Sequence, residues 1–336
     1  MPNLLVGLEL EIENFNPEME RYFPGVDFTD DGSLRSTDGG IGIEAITVPI
    51  ETKYVRELLG RFFTQFEITP ENYTERCSTH VHVNIDDMTP EQLATLCLLY
   101  QTVESLLFLY TGEERDKNIF CVPWNQCNLS YNIVRKIISY PEKSENPFRH
   151  WQKYSALNLI PIMNQGSVEF RHLGGTCDVD KIMTWIALLS CMFKYAHTTP
   201  LAVTRESILS MNTVSNYREW LNSIFGKYTD KLMVPGFEKS LANGVVDSKL
   251  MLMESKSTKA FYNTMTFTTN DLIADLTRHG VVEYEVRTDD IPTEWTTPPP
   301  ARGNIMREAI QPIPAHPGAE AVAHLRERVL RRPRGA

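Results

Sequence analysis

The sequence predicts an α+β fold in which a sheet carries one acidic face and a helical region follows it toward the C-terminus. Three observations predict this class. Apolar and ionisable residues alternate with period two over residues 3–13, 41–49, 79–85 and 166–172, the pattern of half-buried strands. Capped apolar segments over 89–112 and 180–197 read as long helices. From about residue 200 the strand pattern stops, and 216–226, 237–255 and 270–280 read as helices.

Each element follows from its residues. Side chains two apart on a strand share a face. Residues 3–13 (NLLVGLELEIE) therefore set Glu9, Glu11 and Glu13 opposite Leu8, Leu10 and Ile12. Asp31-Gly32-Ser33-Leu34 has turn chemistry, and Gly39-Gly40-Ile41-Gly42 reads as a turn between strands. Glu44 then interrupts an otherwise apolar strand. His80 and His82 lie opposite Val81 and Val83, and Glu169 and Arg171 lie opposite Val168 and Phe170. Thr89-Pro90-Glu91-Gln92 supplies an N-cap, a proline at the first helical position and a capping box; Gly112 closes that helix. Prolines crowd the chain from Ile291 onward, and a short Arg-rich helix is expected over 319–332.

Composition narrows the function classes. A formal net charge of −10 over 336 residues argues against a globally basic nucleic-acid binder. A basic patch sits in the tail, where Arg302, Arg307, Arg326, Arg328, Arg331, Arg332 and Arg334 outnumber Glu308, Glu320 and Glu327. That patch suits an acidic partner, and equally suits a solubilising tail. Six cysteines lack zinc-ligand spacing and fit a reducing cytoplasm. The N-terminus has no basic segment followed by an apolar run. The apolar stretch from Ile182 to Tyr195 is too short to span a bilayer, so no membrane association is expected.

Chemistry concentrates on the strands. Glutamate is depleted in strands, and Glu9, Glu11 and Glu13 have no interleaved lysine. Two such carboxylates about 4 Å apart repel by roughly 4 kcal/mol at an effective dielectric near 20, which a bound cation would relieve. Glu44 inside an apolar strand also needs pairing or coordination. Carboxylates with one or two imidazoles favour magnesium or manganese over structural zinc. Taken singly, each pair reads equally well as the wet side of an amphipathic strand. Trp124, Tyr131 and Trp151 are as readily core as the lining of a pocket, and no GxxxxGK[ST] phosphate loop is present.

In order, GLELE (7–11), DGSL (31–34), GIEAITVP (42–49), CSTHVHVN (77–84), KYSALNLIP (153–161) and SVEFR (167–171) resemble the motif series of the glutamine-synthetase-like carboxylate–amine ligases, and most of all the amidoligase family found in bacterial and phage genomes. The resemblance covers about residues 4–197. It implies an antiparallel sheet of glutamine-synthetase-like type with a metal-binding face, helices packed on the other face, and a catalytic domain over 1–200; the residue pattern, and not the resemblance, divides the rest into a helical region over 201–290 packed on that domain and a linker and tail over 291–336. The resemblance implies Glu9, Glu11, Glu44, His80 and Glu169 as metal ligands, with Mg²⁺ (or Mn²⁺) and ATP bound. His82, Arg171 and Lys153 would approach the transferred phosphoryl group, and Asn158 would stand at a substrate or nucleotide contact. Asp31 matches either a metal aspartate or an ammonium-binding residue and is the candidate general base. Lys153 and Asn158 depart from the family pattern, which has arginines there.

The chemistry so implied is amide or isopeptide formation: ATP phosphorylates a carboxylate, and an amine attacks the acyl phosphate with release of phosphate. The acid and amine may be sought among small molecules, peptides and modified nucleobases, and some relatives form rings, so a homo-oligomer is a further expectation. Two other classes are open. His80, His82 and a carboxylate could serve a metal-dependent hydrolase or a non-haem iron oxygenase; alternatively the fold could bind nucleotide without turnover.

Overall fold

A computed structural model describes residues 4–253 apart from positions 38, 140, 142–147 and 149–150. Seven strands form one sheet: β1 (Leu5–Phe15), β2 (Val26–Asp30), β3 (Ile41–Thr47), β4 (Ile50–Glu51), β5 (Ser78–Asn84), β6 (Leu157–Asn158) and β7 (Ser167–Gly174). Their order is β2-β3-β1-β5-β7-β6, with β4 pairing the start of β1, and every pairing is antiparallel. The helices are α1 (Thr52–Gln65), α2 (Pro90–Thr111), α3 (Asn128–Ser139), α4 (Ile162–Gln165), α5 (Val179–Thr198), α6 (Leu201–Ser210), α7 (Val214–Phe225), α8 (Thr229–Leu232) and α9 (Phe237–Met253). The fold is thus α+β with an antiparallel sheet. The helix expected over 270–280, the proline-rich segment and the Arg-rich tail lie outside the described residues.

Period-two burial divides the sheet. Leu8, Leu10, Ile12, Val81, Val83 and Phe170 are at most 1% exposed and form the core with helical side chains. On that side Phe170 meets Tyr100 of α2, and Trp185 and Phe193 of α5, with ring centroids 6.1–6.4 Å apart. Phe62 of α1 stacks on Phe28 of β2. The helices lie against the apolar face and leave the ionisable one to the site.

Capping chemistry sets the helix bounds. Thr89 and Gln92 form the reciprocal capping box ahead of Pro90, and Gly112 ends α2 at φ +118°, a conformation that side chains with a Cβ avoid. Asp178 caps α5 by accepting from Lys181 N–H at 3.0 Å. The segment after residue 200 packs onto α2: Thr102 Oγ1 lies 2.8 Å from Ser248 Oγ. Gly244 approaches so closely that a Cβ there would stand 2.0 Å from the Thr102 carbonyl.

By length and composition α2 could cross a membrane; 78% of its apolar window is buried within the protein, as a core helix requires. Among the elements that the sequence reading omits, β2 and α1 contrast. The strand β2 (VDFTD) has too few apolar positions to show alternation, whereas α1 carries Val55, Leu59, Phe62 and Phe63 on one face, a legible helical period.

Candidate functional site

Register brings the charged residues together. Directly opposed residues in an antiparallel pair share a face. β1 and β5 align Glu9 with His80; β1 and β3 align Glu11 with Glu44; β5 and β7 align His82 with Glu169; β6 and β7 align Asn158 with Glu169. Residues more than 150 positions apart in sequence thereby occupy one patch.

Two donor groups result, each with two carboxylates and one imidazole. One oxygen or nitrogen from each of Glu9, Glu44 and His80 lies within 4.8 Å of the others, and the same holds for Glu9, His82 and Glu169. Glu9 is common to both. Its Oε2 stands 3.0 Å from His80 Nδ1 and its Oε1 stands 2.9 Å from His82 Nε2. His82 Nε2 nevertheless has no partner in hydrogen-bond geometry, nor does His80 Nε2, which faces Glu11 Oε1 at 3.8 Å. Close donor atoms whose lone pairs do not point at each other suit ligands converging on a shared cation. The oxygen-rich sets fit magnesium or manganese.

The electrostatics carry the same signature. Burial, reinforced by the charges of Glu9, Glu11 and Asp31, pushes the Glu44 carboxyl up to about 7. Burial also opposes ionisation of Glu9, but its hydrogen bond with His80 and its close contacts with both imidazoles outweigh this and hold it well below the usual carboxylate range. For His82 burial disfavours the charged form, and the neighbouring Glu9 carboxylate more than offsets it and raises the net value. Glu9 is thus favoured in its charged form, whereas the charged form of Glu44 is disfavoured.

Glu169 and Arg171 form a second, tightly held part. Arg171 Nη1 donates to Glu169 Oε1, and Asn158 Nδ2 donates to Glu169 Oε2 at 2.7 Å. Asn158 therefore helps to hold this carboxylate in place. Arg171 Nε donates to the Phe120 carbonyl at 2.9 Å, which fixes the guanidinium plane. Lys153 is exposed; its Nζ lies 5.6 Å from the Tyr154 ring centroid, and Arg171 Cζ lies 5.9 Å from the same centroid. One ring thus carries both candidate phosphate-binding cations.

Asp31 and Glu13 take structural contacts. Asp31 Oδ1 accepts from Ser33 N–H at 2.7 Å, the turn its sequence suggests, while its charge still bears on Glu44. Glu13 is fully buried and its Oε1 accepts from Arg35 N–H at 2.7 Å. The register shift between Ile12 and Phe15, with Asn14 at φ 54°, turns the end of β1 toward the 31–37 loop, so Glu13 stands apart from both donor groups. Trp124 and Trp151 are core, 0% and 6% exposed, and pack edge to face.

Some contributors carried little or no local signal. Ser167 Oγ lies 3.2 Å from His82 Nδ1 and is two residues from Glu169, so the period-two rule already placed it on the site face. Arg115, from a short 3₁₀ turn, is buried and donates to the carbonyls of Arg171 and His172 and to Ser78 Oγ. It pins the β5–β7 register shift from which Arg171 projects.

A family model described as "Putative amidoligase enzyme" matches residues 30–192. The matched segment contains Asp31, Glu44, His80, His82, Lys153, Asn158, Glu169 and Arg171, and starts after Glu9 and Glu11. The match points to a ligase-type enzyme. No curated protein matches the chain.

Proposed function

We propose that the chain is an ATP-dependent carboxylate–amine ligase that forms an amide or isopeptide bond through an acyl phosphate, releasing ADP and phosphate. The observation that carries this reading is the convergence of Glu9, Glu44, His80, His82 and Glu169 on one sheet face, with Arg171 held against it. A site that only bound a metal would leave the oriented Arg171, the Lys153 beside it and the shared Tyr154 ring without a role.

Glu9, Glu44 and His80, and Glu9, His82 and Glu169, would hold divalent cations, with Glu11 close to the first set. Bound there, Mg²⁺ would supply charge neutralisation for the polyphosphate. The chain's own groups then account for the remainder. Arg171, its plane fixed by Phe120 and Glu169, presents a planar cation to the transferred phosphoryl group; Lys153, near the same Tyr154 ring, adds a mobile point charge. The carboxylate oxygen of the first substrate attacks the γ-phosphorus and ADP leaves. The amine nitrogen then attacks the acyl carbon, the C–O bond to phosphate breaks, and the amine loses a proton. Asp31, next to Glu44 and partly exposed, is our candidate to accept that proton.

Each donor group holds one imidazole and two carboxylates. That composition favours the oxygen-loving cations of phosphoryl transfer over an iron facial triad, which takes two histidines and one carboxylate. The test is ADP release over paired acid and amine libraries in magnesium, with mass detection of the amide. The wild type should release ADP only when both substrates are present, and Glu169→Gln should lower turnover by roughly 10²-fold or more. Tightly bound iron with no nucleotide binding, or nucleotide binding with no ADP under any mixture, would overturn the proposal.

A further inference from the structure

A cavity of about 390 Å³ opens where β1 begins and β5 ends, against the last turns of α5. Its size falls within the range of small-molecule pockets, about 300–1,000 Å³. Its wall carries both signs of charge. Asp86 and Asp87 come from the turn that follows β5, and Lys194 and His197 lie one turn apart on α5. His197 Nε2 is 3.8 Å from Asp87 Oδ1, whereas among the described residues Lys194 has no carboxylate within ion-pair distance. Leu4, Leu5 and Phe193 supply the apolar part of the lining.

The Asp86 carboxylate is held in place. Asn84 Nδ2 donates to Asp86 Oδ2 at 3.0 Å, and Asp86 N–H donates to Asn84 Oδ1 at 3.1 Å. Behind it Gly166, at φ +62°, leaves no room for a side chain: a Cβ there would stand 2.1 Å from Asp86 Oδ1. One lining residue, Asn84, links the cavity to the strand that carries His82. Asn84 follows His82 by two residues on β5 and pairs with Ser167, whose hydroxyl touches His82 Nδ1.

We propose that this cavity binds a free α-amino acid. A lining that offers the held Asp86 carboxylate, the exposed Asp87 carboxylate and the Lys194 ammonium, which has no ion-pair partner among the described residues, complements a zwitterion: Asp86 and Asp87 take its ammonium, and Lys194 takes its carboxylate. The apolar patch faces the amino acid's side chain. Through Asn84, two residues from His82 on the same strand, this amino acid is assigned as the amine substrate, a role that rests on the ligase reading above; the binding itself does not.

The test is calorimetric titration of the full chain with the standard free amino acids, and with the N-acetyl and C-terminal amide forms of any that bind. The expected result is that at least one binds at millimolar concentration, and that either derivative binds about tenfold or more weakly. Lys194→Met should erase the preference for the free carboxylate over the amide while keeping the preference for the free amine; Asp86→Asn should do the reverse. Lys194 is exposed, so its variant keeps the test valid even if Asp86→Asn misfolds. Binding of no amino acid by the wild type, or unchanged preferences in a folded Lys194→Met, would overturn the site. Amino-acid binding with these preferences but without ADP release in any mixture would uphold the site and overturn its role as the amine seat.

Discussion

Glu9 is the residue on which the site turns. It stands on the central strand, between His80 and His82, and belongs to both donor groups. The alternation of the first strand placed it there, because a carboxylate every second residue beside buried leucines can face only one way. The same rule found Glu44, His80, His82, Glu169 and Arg171. It could not separate Glu13 from Glu11, since the register shift after Ile12 leaves no mark in the alternation. Glu44 supplies the pH prediction. Its folded value of about 7 stands above the ordinary 4.5, so between those values the folded state holds more protons than the unfolded state. Its contribution to metal-free stability is therefore greatest below that window and declines as pH rises through it. Urea unfolding should show Glu44→Gln gaining on the wild type between pH 5 and pH 8 without divalent cation, and magnesium should reverse that gain. A difference between the two proteins that stays constant with pH would contradict the assignment.

At the scale of elements, strand and helix identities were readable because each rests on a short-range rule: period-two burial for β1, β3, β5 and β7, and a capping box for α2. What holds two elements in register was not readable, because it depends on groups remote in sequence. Arg115 is the case in point. Nothing around Glu113–Lys117 announces a role, yet its guanidinium satisfies two buried carbonyls where β7 slips against β5. Removing it strands both acceptors at about 1–3 kcal/mol each, so Arg115→Met should cost roughly 2–6 kcal/mol in urea unfolding and lower turnover through Arg171. A loss below about 1 kcal/mol would mean that the strand register does not depend on it. Asn158 shows the same limit. Its position next to Glu169 is a product of the β6–β7 pairing, and two residues of strand give sequence reasoning no period to detect.

At the scale of the molecule, a buried α2 backs the sheet while the segment after residue 200 packs on its far side through Thr102 and Ser248. The helices supply the rigid apolar layer, and the other face of the sheet can then carry several carboxylates that would be intolerable in a core. The family match begins at residue 30, so the shared Glu9 comes from a strand that the match does not include; sheet pairing alone joins it to the matched histidines. The proposed amino-acid cavity was not legible from the motif series, because it is assembled from the start of β1, the turn after β5 and the end of α5. The central claim is that one carboxylate serves two cation sites on this face. Titration of Mn²⁺ followed by paramagnetic resonance, with a non-hydrolysable ATP analogue present, tests it most directly. The wild type should bind more than one Mn²⁺ per chain, and Glu9→Gln should weaken every one of these sites while Glu44→Gln weakens only one. Equal Mn²⁺ binding by the wild type and a folded Glu9→Gln would contradict the account.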